Sequence, residues 1–221
     1  MSRHILFFKI VMIGLLFVTQ FSVKAAGGDA GNPGVNFRHL TLAQAKAASK
    51  AENKPLFIHC YADWCGYCKY MKDSVYPDKE VGDFYNANFV NIMMDVEKEG
   101  VELNKTINAH TFPTLLYYDT NGELMHRAAG RKYKQPFLDL GKEAMDPKRQ
   151  MRYFKNGYEN GTATPYEIQF YFRMQEIAGM DAQQMLSDYL MKQPDSEFTN
   201  SNNWRIMYDI IKQSTLPVMK R

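Results

Sequence analysis

Pro55-Leu56-Phe57-Ile58-His59-Cys60-Tyr61-Ala62-Asp63-Trp64-Cys65-Gly66-Tyr67-Cys68-Lys69 is the stretch on which the reading of this 221-residue chain turns. Its first eight residues form an almost continuous apolar run, opened by the break Asn53-Lys54-Pro55. Such a run predicts a short central strand covered on both faces. Lys69-Tyr70-Met71-Lys72-Asp73-Ser74-Val75 then continues as a helix. Cys65 and Cys68 therefore fall at a strand-to-helix junction, where the helix begins.

That position has chemical consequences. A thiol is a nucleophile only as the thiolate. A helix N-terminus offers unpaired N–H groups and the positive end of the macrodipole, and both lower the pKa of a cysteine placed there. Two intervening residues let the second sulfur fold back on the first. Cys65, beside Trp64, is expected to be the accessible, attacking thiol. Cys68, one turn in and more buried, is expected to resolve a mixed disulfide. Competing readings of the pair fare worse. A zinc site needs two more ligands, and none has the spacing, so no metal is expected. Haem attachment needs His directly after the second Cys, where Lys69 stands. A permanently oxidised structural bridge would close too short a loop to constrain much chain.

Working outward, Thr41 reads as the N-cap of an alanine-rich helix to about Lys50. Asp78 to Asn86 reads as a second short helix after the cysteines. Phe89–Asp95 is the next strand, and a helix follows around Glu99–Ile107. Thr111-Phe112-Pro113-Thr114 leads into the apolar strand Leu115-Leu116-Tyr117-Tyr118. Asn121-Gly122 is a two-residue hairpin signal pairing that strand with Glu123–Ala129. Lys134 to about Met145 closes the unit as a helix. This succession predicts an α/β sandwich with a mixed central sheet and an antiparallel edge.

Residues 147–221 have a different character. Thr164-Pro165-Tyr166-Glu167 combines an N-cap, a Pro at N1 and a Glu at N3, which starts a helix running to about Ala178 and ending at Gly179. Asp181 reads as the cap of a second helix to about Lys192, and Asn202 or Asn203 opens a third. The expectation is a helical C-terminal extension of three helices.

The beginning of the chain reads as a leader. Arg3, His4 and Lys9 precede the apolar run Ile10–Val18, and Val23-Lys24-Ala25-Ala26 closes it with small residues. This is the layout of a secretory signal peptide over 1–25, and the run is short for a spanning anchor. Export to the periplasm or exterior is thus favoured over signal-anchor attachment. Residues 26–36 read as a flexible lead-in, 37–146 as the α/β domain and 147–221 as the extension. Apolar residues make up 45% and charged residues 23%, a globular rather than disordered balance. Removing residues 1–25 takes away Arg3, Lys9 and Lys24 and no acid, so the formal charge falls from +3 to 0. A neutral mature chain exerts no electrostatic pull on nucleic acid. All three cysteines, Cys60, Cys65 and Cys68, lie within nine residues, unlike a framework of structural staples.

With these motifs assembled, residues from about Phe37 to Met145 resemble the thioredoxin superfamily. Tyr61-Ala62-Asp63-Trp64-Cys65 and the helix after Cys68 look most like the C-terminal domain of the transmembrane thiol:disulfide interchange reductase. Secreted thioredoxin-like proteins with helical extensions are similar. The resemblance implies a four- or five-stranded sheet and thiol:disulfide exchange on protein or peptide disulfides. It also implies a membrane-bound thiol electron donor and no cofactor. It places a cis-proline opposite the cysteine pair, and Pro113 of Thr111-Phe112-Pro113-Thr114 is the match. Trp64, Gly66, Tyr67 and Phe112 would then face the substrate. Two positions depart from the pattern. His59 stands where relatives often carry a buried Asp that accepts a proton from the resolving thiol. A neutral imidazole could do the same, or His59 could be a core histidine. Cys60 should face the opposite side of the sheet as a buried small hydrophobe rather than a third redox thiol. Tyr67 replaces the Pro of reducing thioredoxins, leaving the direction of electron flow open between reductase, isomerase and oxidase. The alternative function is a redox-inactive binding module that recognises a partner through its extension.

Overall fold

The computed structural model describes residues 33–194, 196 and 200–213. The leader read over 1–25 and most of the lead-in over 26–36 lie outside the described residues. The elements run α1 (Leu42–Glu52), β1 (Leu56–Tyr61), α2 (Gly66–Ser74), α3 (Lys79–Asn88), β2 (Val90–Asp95), α4 (Val101–Ile107), β3 (Thr114–Tyr118), β4 (Leu124–Ala129) and α5 (Lys134–Met145). The extension adds α6 (Met151–Glu159), α7 (Pro165–Ile177), α8 (Gln183–Met191) and α9 (Ser201–Gln213).

The sheet has four strands in the order β2-β1-β3-β4. β1 runs parallel to β2, with Ile58 opposite Ile92, and antiparallel to β3, with Ile58 opposite Leu116. β3 and β4 form the antiparallel edge. β1 is buried from Leu56 to Cys60, as its unbroken apolar run requires for a strand covered on both sides. Side chains alternate between two cores. Phe57, Leu115 and Tyr117 pack with Met71 of α2 and Val75 at its C-cap, Val81 and Tyr85 of α3, and Phe137 and Ala144 of α5. Leu56, Ile58, Cys60, Ile92 and Leu116 pack with Ala45 of α1 and Leu103 and Ile107 of α4. The result is a sheet sandwiched between two helical layers, the α/β class read from the sequence.

Two details differ from expectation. The β3–β4 connection is longer than a two-residue hairpin. Asp119 accepts N–H bonds from Asn121 and Glu123 through Oδ1, the Asp119 and Glu123 backbones pair, and Gly122 takes φ 83°. The aspartate organises a wider turn, and the ladder slips between Tyr117 and Tyr118. The extension also holds an unforeseen helix, α6, so four helices rather than three are described. Gln150 at its N-cap makes no side-chain cap bond, so the local signal was missing.

The extension has its own core of Met151, Tyr171, Phe172, Ala178, Leu186, Leu190 and Ile206. It is sewn to the sheet through β4. Arg127, 3% exposed, donates from Nε to the Ala178 carbonyl at 3.1 Å and from one terminal nitrogen to the Ile107 carbonyl at 2.5 Å. His126 Nδ1 accepts the Met151 N–H at 3.1 Å, and Leu124 packs against both the sheet core and the extension core. Gly179 has φ 71°, and a Cβ there would sit 3.1 Å from Ala129 and Thr111. Among the described residues, no helix is long and apolar enough to cross a membrane.

Candidate active site

β1 ends at Tyr61, and the chain turns through Ala62–Trp64 into α2. Cys65 is the N-cap of that helix, with extended backbone at φ −74° and ψ 101°. Its Sγ accepts the N–H of Cys68 at 3.1 Å. An N-cap acceptor is normally an oxygen; a sulfur in that place receives one of the orphan donors of the first turn and sits at the positive end of the helix. Cys65 and Cys68 are joined as a disulfide with Cα atoms 5.3 Å apart.

Three loops meet around this bond. The first carries Trp64, which is 66% exposed and donates from Nε1 to Glu97 Oε1 at 2.9 Å. Next to it, Asp63 pairs with Lys98 at 2.5 Å, and that hydrogen bond holds the Asp63 carboxyl below its usual range. The second loop holds the Phe112–Pro113 peptide, which is cis, with Pro113 buried. The Phe112 ring meets the Trp64 ring edge-on, with centroids 5.8 Å apart. The third follows β4: Gly130 donates its N–H to the Pro113 carbonyl at 2.8 Å, which brings Arg131 alongside. The Arg131 guanidinium lies 5.2 Å from the ring centroid of Tyr67, 5.0 Å from Tyr70 and 4.7 Å from Tyr133. Gly66 is exposed, and a Cβ added there would meet open space.

The structure thus brings Cys65, Cys68, Trp64, Gly66, Tyr67, Phe112 and Pro113 to one end of the sheet. One expectation changes: Cys65 and Cys68 are equally covered, each 4% exposed, rather than Cys65 standing free. The exposed surface belongs to the flanking rings of Trp64 and Tyr67. Behind the disulfide, on the face of β1 shared with Phe57, His59 is fully buried. Its Nδ1 bonds with the Tyr76 hydroxyl, and Nε2 has no partner among the described residues. Burial pushes the imidazole down to about 3, so it is neutral at ordinary pH. Cys60 lies on the other face, buried, with its thiol pushed up by burial to about 12. Glu97, Lys98 and Arg131 were not foreseen; each meets the site across a long stretch of sequence, and no local pattern marks such a meeting.

The strand–Cys–x–x–Cys–helix junction and the cis Pro113 loop sit on a matching stretch of sequence: a family model described as a thioredoxin-like domain matches residues 42–144. Residues 42–144 are a thioredoxin-like domain. The thioredoxin-like domain resembles part of the thiol:disulfide interchange protein DsbD of Vibrio cholerae, 34% identical over 103 residues that make up 44% of this chain and 17% of that protein. The DsbD of Yersinia enterocolitica is 34% identical over 125 residues, 52% of this chain and 22% of the relative. The chain therefore spans less than a quarter of the length of these curated relatives. Among solved structures, a putative disulphide-isomerase from Bacteroides thetaiotaomicron is 38% identical, with a TM-score of 0.48, covering 51% of this chain and 94% of its own.

Proposed function

We propose that this protein is a thiol:disulfide oxidoreductase acting on disulfides of exported proteins through the Cys65/Cys68 dithiol. The observation that carries the reading is the Cys65 sulfur at the N-cap of α2, taking the Cys68 N–H, with a second sulfur in bonding reach. In the reduced protein, the same donors stabilise a thiolate on Cys65. That thiolate attacks one sulfur of a substrate disulfide, forming a mixed disulfide and releasing one substrate thiolate. Cys68, giving up its proton, attacks the Cys65 sulfur, breaks the mixed disulfide and releases the second substrate thiolate. Two electrons pass to the substrate, its two thiolates take up two protons, and the Cys65–Cys68 bond closes. A membrane-bound thiol donor restores the dithiol. The leader-like residues 1–25 support export to the periplasm or exterior.

The remaining residues take roles by position. Trp64, Gly66, Tyr67 and Phe112 form the face a substrate chain meets, and the open space over Gly66 leaves room for it. Pro113 lines that face from the second loop. His59, held neutral by burial behind the disulfide, serves as a transient relay for the Cys68 proton in the second step, passing it on rather than holding it. Residues 37–146 act as the redox domain and 147–221 as its extension.

The test is reduction of insulin disulfides in the presence of dithiothreitol. The full chain should accelerate it, and Cys65→Ser should abolish the acceleration; an unchanged rate in that variant overturns the mechanism. The low exposure of both cysteines favours a second reading, a binding module with an inert bridge. A reduction potential below about −300 mV would select that reading, since structural disulfides lie there.

A further inference from the structure

Among the charged groups around the disulfide, Arg131 differs from Lys69, which also pairs with no carboxylate among the described residues, in being enclosed by aromatic rings. The neighbouring Asp63 and Lys98 neutralise each other, and Lys134 is held between Asp78 and Glu80. Arg131 has no carboxylate partner among the described residues. Its guanidinium is enclosed by the rings of Tyr67, Tyr70 and Tyr133, and one terminal nitrogen donates to the Tyr133 hydroxyl at 2.6 Å. Stacking on ring faces uses the plane of the guanidinium and leaves the donors not taken by Tyr133 for a planar acceptor. Tyr67 is one of the two residues between the cysteines, and it is 58% exposed, as Tyr133 is 53% exposed. The cation is thus fixed in direction by three rings, beside the bond to be exchanged, on a loop tied by Gly130 to Pro113.

We propose that Arg131 is a specificity-determining residue of the exchange reaction, selecting disulfides that carry a carboxylate close to one half-cystine. This inference rests on the oxidoreductase reading above. A substrate carboxylate would meet the guanidinium edge while its sulfur meets Cys65. A basic side chain at the same place would face an uncompensated cation. The tyrosines hold the charge in place; on a free side chain the same charge would lose rotamer entropy on pairing.

The experiment uses the full chain, reduced beforehand, and two synthetic peptides of one sequence, each closed by a single disulfide. They differ only in glutamate or lysine beside one half-cystine. The second-order rate of oxidation is followed by Trp fluorescence, with 2-hydroxyethyl disulfide as an uncharged probe. The glutamate peptide should react about three- to fivefold faster than the lysine peptide at low salt, the size of one exposed ion pair. The ratio should shrink toward one at about 0.5 M salt. Arg131→Gln should bring the ratio to about one, and Arg131→Lys, which keeps the charge but not the stacked planar donor, should keep only part of it. A ratio near one in the wild type, or a ratio that survives Arg131→Gln, overturns the proposal. If the wild type fails to react even with 2-hydroxyethyl disulfide, the oxidoreductase reading falls, and this inference falls with it.

Discussion

His59 and His126 show what burial does to single residues. Burial pushes His59 to about 3, and burial with the nearby Arg149 pushes His126 to about 4. Both lie below the usual histidine value of about 6.5. In the unfolded chain both imidazoles therefore take up protons as pH falls through 6.5, while in the folded chain they do not. The stability they contribute is complete above about pH 6.5 and declines as pH drops toward 4. The slope approaches about 1.4 kcal/mol per pH unit for each imidazole. Urea titrations at pH 7.5, 6 and 5 should show this decline. His126→Gln, which keeps an acceptor for the Met151 N–H, should remove about half of it; His59→Gln should remove a comparable share. An acid slope that neither variant changes would place its source elsewhere. The same His59 variant should slow ring closure by Cys68 and spare the initial attack by Cys65. At this scale the sequence was informative where chemistry is local. The two sulfurs and the opposed faces of His59 and Cys60 follow from neighbours a few residues away, whereas the cis Pro113 was expected from the family resemblance. Arg131 meets Tyr67 only because β4 returns beside α2, and no residue near either one announces it.

Whole elements were legible where a cap or a period marks them. Thr41 with Gln44 and Thr164 with Glu167 form complete capping boxes, each satisfying two N–H groups. The unbroken apolar stretch of β1 placed it in the middle of the sheet. Asn121-Gly122 marked the hairpin, but Asp119, two residues earlier, fixed its length. α6 escaped because Gln150 offers no side-chain cap bond and Gly157, inside the helix, lowers its intrinsic propensity. Its stability is borrowed from packing, with Phe154 against Phe170 at 4.8 Å between ring centroids. Glu167 also accepts a hydrogen bond from the Tyr153 hydroxyl at 3.2 Å, so the α7 cap holds α6 as well. Thr164→Ala should therefore cost about 1 kcal/mol of stability, read as a lower midpoint in urea. A variant as stable as the parent would show that the α7 N-terminus is held by other contacts.

Across the molecule, the seam between sheet and extension rests on few residues, running along β4 from Leu124, at the end away from the disulfide, to Gly179 against Ala129 at the redox end. The Arg127 guanidinium holds a carbonyl on each side, Ile107 from the α4 end and Ala178 from the α7 end. Gly179 then presses against Thr111, at the start of the loop that carries Phe112 and Pro113. A side chain at Gly179 would meet both a left-handed backbone and a 3.1 Å contact. Calorimetry of the reduced and oxidised chain should show one cooperative transition spanning both cores. Gly179→Ala should lower its midpoint and change the reactivity of Cys65, while two separate transitions would show the cores to be independent.

The Arg127 seam gives residues 147–213 a mechanical meaning. Removing the chain beyond Met145 would leave the Arg127 guanidinium with the Ile107 carbonyl but without that of Ala178, and the last strand would lose its cover. Through Arg127 on the Ala178 carbonyl and Gly179 beside Thr111, the end of α7 thus rests against the start of the loop that carries Phe112 and Pro113.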